Sequence, residues 1–120
     1  MAKSQLESFR EERRMLNDLV LNNADLTIKR FFSLDNQTYR EGHLSASQKE
    51  LLGLVASMVL RCDDCITYHI DQCFKEGITK EQFVEAAGVA LVVGGSIVIP
   101  HLRRAFKTWM TLEEEAHGKQ

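Results

Sequence analysis

Apolar side chains recur along this chain at steps of three and four residues, and no run of alternating β-branched residues interrupts them. That period lines one side of a helix, not one face of a strand, so the expected class is all-α. The single proline in 120 residues is Pro100, so helices can run long before it. About six helices fit this pattern.

The first helix is expected from about Ser4 to Leu21, with Leu6, Phe9, Arg13, Leu16 and Val20 on one stripe. A second spans about Ala24 to Leu34, carrying Leu26, Ile28, Phe31 and Phe32, before a polar connection marked by Asp35-Asn36-Gln37 and Glu41-Gly42. Ser45 with Gln48 has the pattern of a capping box and opens a third helix that reaches Leu60 or Arg61. Near Cys62 a fourth begins, with Asp63 and Asp64 suited to its first turn and Gly77 as its stop. Thr79 with Gln82 opens a fifth through Val93, whose small residues Ala86, Ala87, Gly88 and Ala90 allow close approach of another helix. Gly94-Gly95 breaks the chain, and a last helix runs to about Glu115, with Pro100 near its start or as a kink.

Length and composition fit one domain over residues 1–120, since 44% of residues are hydrophobic and 27% charged. A formal charge of −2 and the absence of a basic stripe with interleaved aromatics make nucleic acid an unexpected partner. The charged N-terminus lacks the apolar core of a secretory signal. The most apolar stretch, Ala86 to Pro100, is shorter than the roughly 20 residues of a membrane span. A cytoplasmic protein with no membrane association is therefore expected. Three cysteines are too few and of the wrong parity for a disulfide scaffold, and two of them form a C-x-x-C, which points to redox or metal chemistry.

On a helix, Cys62, Cys65 and His69 share one face, because the steps between them are three and four residues. At a helix start, unpaired N–H groups and the dipole favour a thiolate at Cys62. His69, one turn beyond Cys65, can take its proton directly or through one water. Glu50 joins them only if the chain reverses near Arg61, since twelve residues of continuous helix span about 18 Å. A reversal there brings Glu50 and His69 within roughly 5 Å of the same level, where a carboxylate can orient the imidazole.

Glu50-x11-Cys62-x2-Cys65-x3-His69, set in ELLGLVASMVLRCDDCITYHIDQCFKEGITKEQFVEAAGVALVVGG, resembles the core of the alkylhydroperoxidase D and carboxymuconolactone decarboxylase superfamily on its redox-active branch. The resemblance covers about residues 44–95. It implies a helical bundle with a central helical hairpin, assembled as trimers or hexamers, and peroxidase or disulfide reductase activity through the cysteine pair. By that resemblance Glu50, Cys62, Cys65 and His69 match the proton-relay and redox positions. Asp64 stands where some members have a histidine, and decarboxylase members usually lack the cysteine pair. The implied reductant is a thioredoxin-like or lipoyl-bearing protein; no flavin, haem or nicotinamide motif is present, so no cofactor is expected.

The expected reaction has Cys65, with His69 as base, attack a hydroperoxide and form a sulfenic acid that condenses with Cys62. An external dithiol then opens the disulfide at the more accessible sulfur, assigned to Cys62 at the helix start. The reverse order of the cysteines stays open. Three rivals remain: a non-redox enzyme of the decarboxylase type, a helical assembly module, and a zinc site from Cys62, Cys65, His69 and Cys73. Zinc would need a further segment, such as His43 or His101, because one straight helix cannot close a tetrahedron. Cys73 reads otherwise as core packing, Leu102, Phe106 and Trp109 as core or interface, and His43 and His101 as surface or packing residues. Arg13-Arg14 and Arg103-Arg104 read as solvated faces.

Overall fold

The computed structural model describes residues 4–118, and among these residues it contains helices and no strand. They form two compact units, residues 1–40 and 41–120.

The first unit holds α1 (Gln5–Asn23) and α2 (Leu26–Thr38). Each start is fixed by a short side chain that accepts a backbone N–H unpaired within the helix: Ser4 Oγ from Glu7 at 3.0 Å and Asp25 Oδ1 from Ile28 at 3.1 Å. The second helix runs four residues past its expected end. Asp35, Asn36 and Gln37 are exposed, so their side chains meet water without leaving the helix, and Thr38 Oγ1 returns a bond to the Leu34 carbonyl at 2.7 Å. The expected stripe on α1 is buried at Leu6 only, while Leu16 and Val20 remain exposed, as do Met15, Leu19, Phe31 and Leu34. Two helices offer too little partner surface to cover these faces.

The second unit holds α3 (Ala46–Leu60), α4 (Asp63–Lys75), α5 (Lys80–Gly94), a single 3-10 turn (Ser96–Val98) and α6 (Ile99–Gly118). Both expected capping boxes form, at Ser45 with Gln48 and at Thr79 with Gln82. Helix α3 packs on α4 and α5, and α4 packs on α6. Between them lie Leu54, Met58, Ile66, Ile70, Phe83 and Ala90, all nearly or fully sealed from solvent. Trp109 anchors the far end of this core. Its ring stacks on Phe83 at 4.8 Å and meets Phe74 edge-on at 5.2 Å, while Nε1 donates to Glu113 at 2.9 Å.

Glycines with positive φ, Gly77 and Gly95, lie on either side of α5. At the end of α4, Gly77 takes φ +83, and the N–H groups of Gly77 and Ile78 bond back to the carbonyls of Phe74 and Cys73. Pro100 sits in the first turn of α6, where its missing N–H costs nothing, so the helix is not broken there. Close approach of another helix was expected at the small residues of α5; Ala87 and Ala90 are buried, but Gly88 is exposed and a side chain there would meet open space. The tight contact lies instead at Gly94, where an added Cβ would fall 2.5 Å from Val98 Cγ2 and 3.7 Å from Val59 Cα. Val98 is fully buried and cannot swing away cheaply. Gly94→Ala should therefore lower the unfolding free energy by about 1–3 kcal/mol in a denaturant titration, whereas Gly88→Ala should leave it unchanged or raise it slightly.

Candidate active site

The site begins where α3 ends. Arg61 is the one non-glycine residue with positive φ among those described, at φ 60 and ψ 42. That conformation costs an L-residue roughly 1–2 kcal/mol, and the surrounding bonds hold it in place. Arg61 N–H donates to the Met58 carbonyl and Cys62 N–H to the Ser57 carbonyl, both at 3.1 Å. The two bonds satisfy the last turn of α3 and turn the chain back on itself. Cys62 thus closes one helix with its backbone and opens the next with its side chain. Its Sγ accepts the Cys65 N–H at 3.3 Å, in the role that serine or aspartate usually plays at a helix start.

A disulfide joins Cys62 to Cys65, with Cα atoms 5.3 Å apart. Cys65 is exposed and Cys62 only half-buried, so the more accessible cysteine is Cys65. This reverses the assignment made from helix position alone. The residue at a helix start is also the one that the preceding turn folds over, which the spacing of residues does not reveal.

The reversal brings Glu50 and His69 together as expected. His69 Nδ1 lies 2.8 Å from Glu50 Oε2, with the two residues 8% and 6% exposed, so the bond forms away from bulk water. With the carboxylate as acceptor, Nδ1 carries the proton and proton exchange falls to Nε2. The Tyr68 ring meets the imidazole edge-on at 5.2 Å. His69 follows Cys65 by one turn on the same face of α4.

One turn further, Cys73 is fully buried. Burial pushes its thiol up from 9.0 to about 12, with the Glu50 and Glu76 carboxylates adding to the shift. A thiol held protonated to that degree is inert, in keeping with core packing. No three His, Cys, Asp or Glu side chains among the described residues gather in an arrangement that could hold a metal ion. His43 is exposed in the connection ahead of α3.

A second carboxylate–histidine pair was not legible in the sequence. Asp63, the first residue of α4, receives His101 Nδ1 on Oδ1 at 2.8 Å and Arg104 on Oδ2 at 2.7 Å. His101 and Arg104 lie one turn apart on α6, so both can reach the same carboxylate. Arg103 and Arg104 are exposed, as expected of a solvated face, and these contacts add a carboxylate partner to Arg104 and to His101, which was read as a surface or packing residue. The three-residue spacing of His101 and Arg104 was the only available signal, and it does not name a partner 38 residues away.

Comparison with known proteins follows the same lines. The family description "Carboxymuconolactone decarboxylase family" matches residues 26–108. A crystal structure from Thermotoga maritima superposes with a TM-score of 0.92 at 54% identity, covering 93% of this chain and 98% of the other. A second structure from the same organism, at 54% identity, TM-score 0.89 and coverage of 94% and 97%, is described as a member of that family with a suggested part in antioxidative response. A Legionella pneumophila member of the family shares the fold at 22% identity, TM-score 0.77 and coverage of 93% and 97%. Among curated relatives, an uncharacterized protein of Cupriavidus necator is 32% identical over 56 residues, 47% of this chain and 50% of that protein. The chain thus spans half the length of that relative.

Cys73 supplies a direct check. Between about pH 9 and 12 the unfolded thiol loses its proton while the folded one keeps it, so its contribution to stability is complete below pH 9 and falls as pH rises through that window. In the reduced native protein at pH 8, iodoacetamide should label Cys62 and Cys65, and Cys73 should react only after unfolding; labelling of native Cys73 at a comparable rate would contradict its placement.

Proposed function

The chain belongs to the carboxymuconolactone decarboxylase family, and from that footing we propose that it is a thiol-dependent peroxidase and disulfide oxidoreductase working through Cys62, Cys65, His69 and Glu50. The observation that carries this reading is the buried 2.8 Å contact between Glu50 and His69, one turn along α4 from a cysteine pair that closes a disulfide. A disulfide needs a proton donor and acceptor nearby to cycle, and a histidine fixed in one tautomer supplies both. The antioxidative part suggested for the Thermotoga relative fits this chemistry.

In the oxidative half of the cycle, the Cys65 thiolate, its proton taken by His69, attacks the distal oxygen of a hydroperoxide. An S–O bond forms, the O–O bond breaks, and the departing alkoxide takes a proton from His69 to leave as an alcohol. The Cys62 thiol then attacks the sulfenic sulfur; the S–S bond forms and the hydroxyl leaves as water. Glu50 holds the imidazole in place and offsets its charge when protonated. An external dithiol regenerates the pair. Its thiolate enters at Cys65, the exposed cysteine, and the electron pair of the broken S–S bond departs on Cys62. A thioredoxin-like or lipoyl-bearing protein would supply that dithiol in the cytoplasm. Exposed Leu52 and Leu60 on α3, with Val89, Val92 and Val93 on α5, support a homo-oligomer such as a trimer or hexamer.

Consumption of cumene hydroperoxide with dihydrolipoamide as reductant tests the reading. Turnover should vanish in Cys62→Ser and in Cys65→Ser, and His69→Ala should retain about 1% or less of the rate, the usual loss on removing a general acid–base group. Glu50→Gln should be slowed less than His69→Ala. A wild-type protein that neither consumes peroxide nor cycles its disulfide with dithiols would overturn the proposal.

A further inference from the structure

The mechanism above uses Glu50 and His69 and leaves unexplained the second carboxylate cluster, at Asp63. Asp63 follows Cys62 directly, and consecutive Cα atoms are about 3.8 Å apart. An ionised carboxylate on the adjacent residue opposes negative charge on the Cys62 sulfur, against the helix start and the Cys65 N–H, which favour it. In this protein that carboxylate does not face the sulfur uncompensated. Each of its oxygens is held by a donor from α6: His101 at 2.8 Å, with its side chain 18% exposed, and Arg104 at 2.7 Å. A charge-assisted bond of this kind draws the carboxylate's field toward α6, with Arg104 acting from an exposed position.

We propose that Asp63, His101 and Arg104 form a charge clasp that sets how readily Cys62 carries a thiolate, with His101 and Arg104 acting as positioning residues through Asp63. The inference rests on the thiol chemistry proposed above, in which Cys62 is the leaving sulfur when a dithiol opens the disulfide at Cys65. A leaving thiolate departs faster as its pKa falls, so a group that tunes Cys62 tunes regeneration without touching the peroxide. The clasp also ties the first turn of α4 to α6. Three independent contributions meet at one sulfur: the α4 N-terminus and the Cys65 N–H favour charge, Asp63 and the exposed Asp64 oppose it, and the α6 donors neutralise Asp63. Other charged groups around this sulfur are the exposed Arg61 before it and the Glu50–His69 pair between α3 and α4.

The charges predict opposite signs, which mere structural damage would not produce. Thiolate absorbance at 240 nm, followed against pH in a Cys65→Ser background, isolates Cys62, because Cys73 stays protonated to about 12. Asp63→Asn should raise the thiolate fraction of Cys62 at a given pH by about threefold or more. Arg104→Gln should lower it by about twofold or more, His101→Ala should move it in the same direction as Arg104→Gln, and Asp63→Asn with Arg104→Gln should resemble Asp63→Asn alone, since the cation acts through the carboxylate. The titration reads the clasp whether or not the protein turns over peroxide, so a failed peroxidase assay and a failed clasp are separate results. Shifts of the same sign in Asp63→Asn and Arg104→Gln, or no shift in either, would overturn the inference.

Discussion

The candidate site depends on the left-handed turn at Arg61. Without it α3 and α4 would continue as one rod, and Glu50 would stand about 18 Å of helical rise away from Cys62. With it, the α3 carbonyls at Ser57 and Met58 are satisfied, Cys62 is set at the head of α4, and Glu50 and His69 come within 2.8 Å. The turn carries a local conformational cost at a residue with a side chain, and the flanking hydrogen bonds and helix packing offset it. Glycine would take that backbone shape with less strain. Its position beside Cys62 of the candidate site agrees with the general finding that strained backbone gathers near functional groups.

Around that reversal, three cysteines along α4 and its N-cap end up in different environments for separate physical reasons. Cys62 caps the helix with its sulfur and is followed by Asp63, whose carboxylate is bonded from α6. Cys65 is exposed. Cys73, on the same helix, is sealed among apolar side chains and near carboxylates, which hold it protonated. Differences in burial and electrostatics, not in residue type, divide the disulfide pair from its buried neighbour.

Much of the fold was readable from residue order. The apolar period, the two capping boxes at Ser45 and Thr79, and the glycine stop at Gly77 are local signals, and each helix of the second unit starts and ends close to where they place it. The end of α2 was misplaced because polar residues signal a loop only when their side chains compete for the backbone, and Asp35 to Gln37 do not. Close helix approach was expected along Ala86, Ala87, Gly88 and Ala90; Ala87 and Ala90 are buried, whereas Gly88 faces open space and the tight glycine contact is at Gly94, since small residues permit contact without dictating which of them will be used.

The sequence by itself determined that Cys62, Cys65 and His69 would share a helix face, because their spacing is a property of one helix and needs no partner. It also bounded where Glu50 could meet them, given a reversal at Arg61. Only the tertiary structure decided that Cys65 is the exposed cysteine and that Asp63 is gripped from α6 by His101 and Arg104. Exposure and long-range ion pairing depend on which surfaces are buried when helices pack. That outcome is set by the sum of many weak apolar contacts across the whole unit, and no short stretch of sequence encodes it.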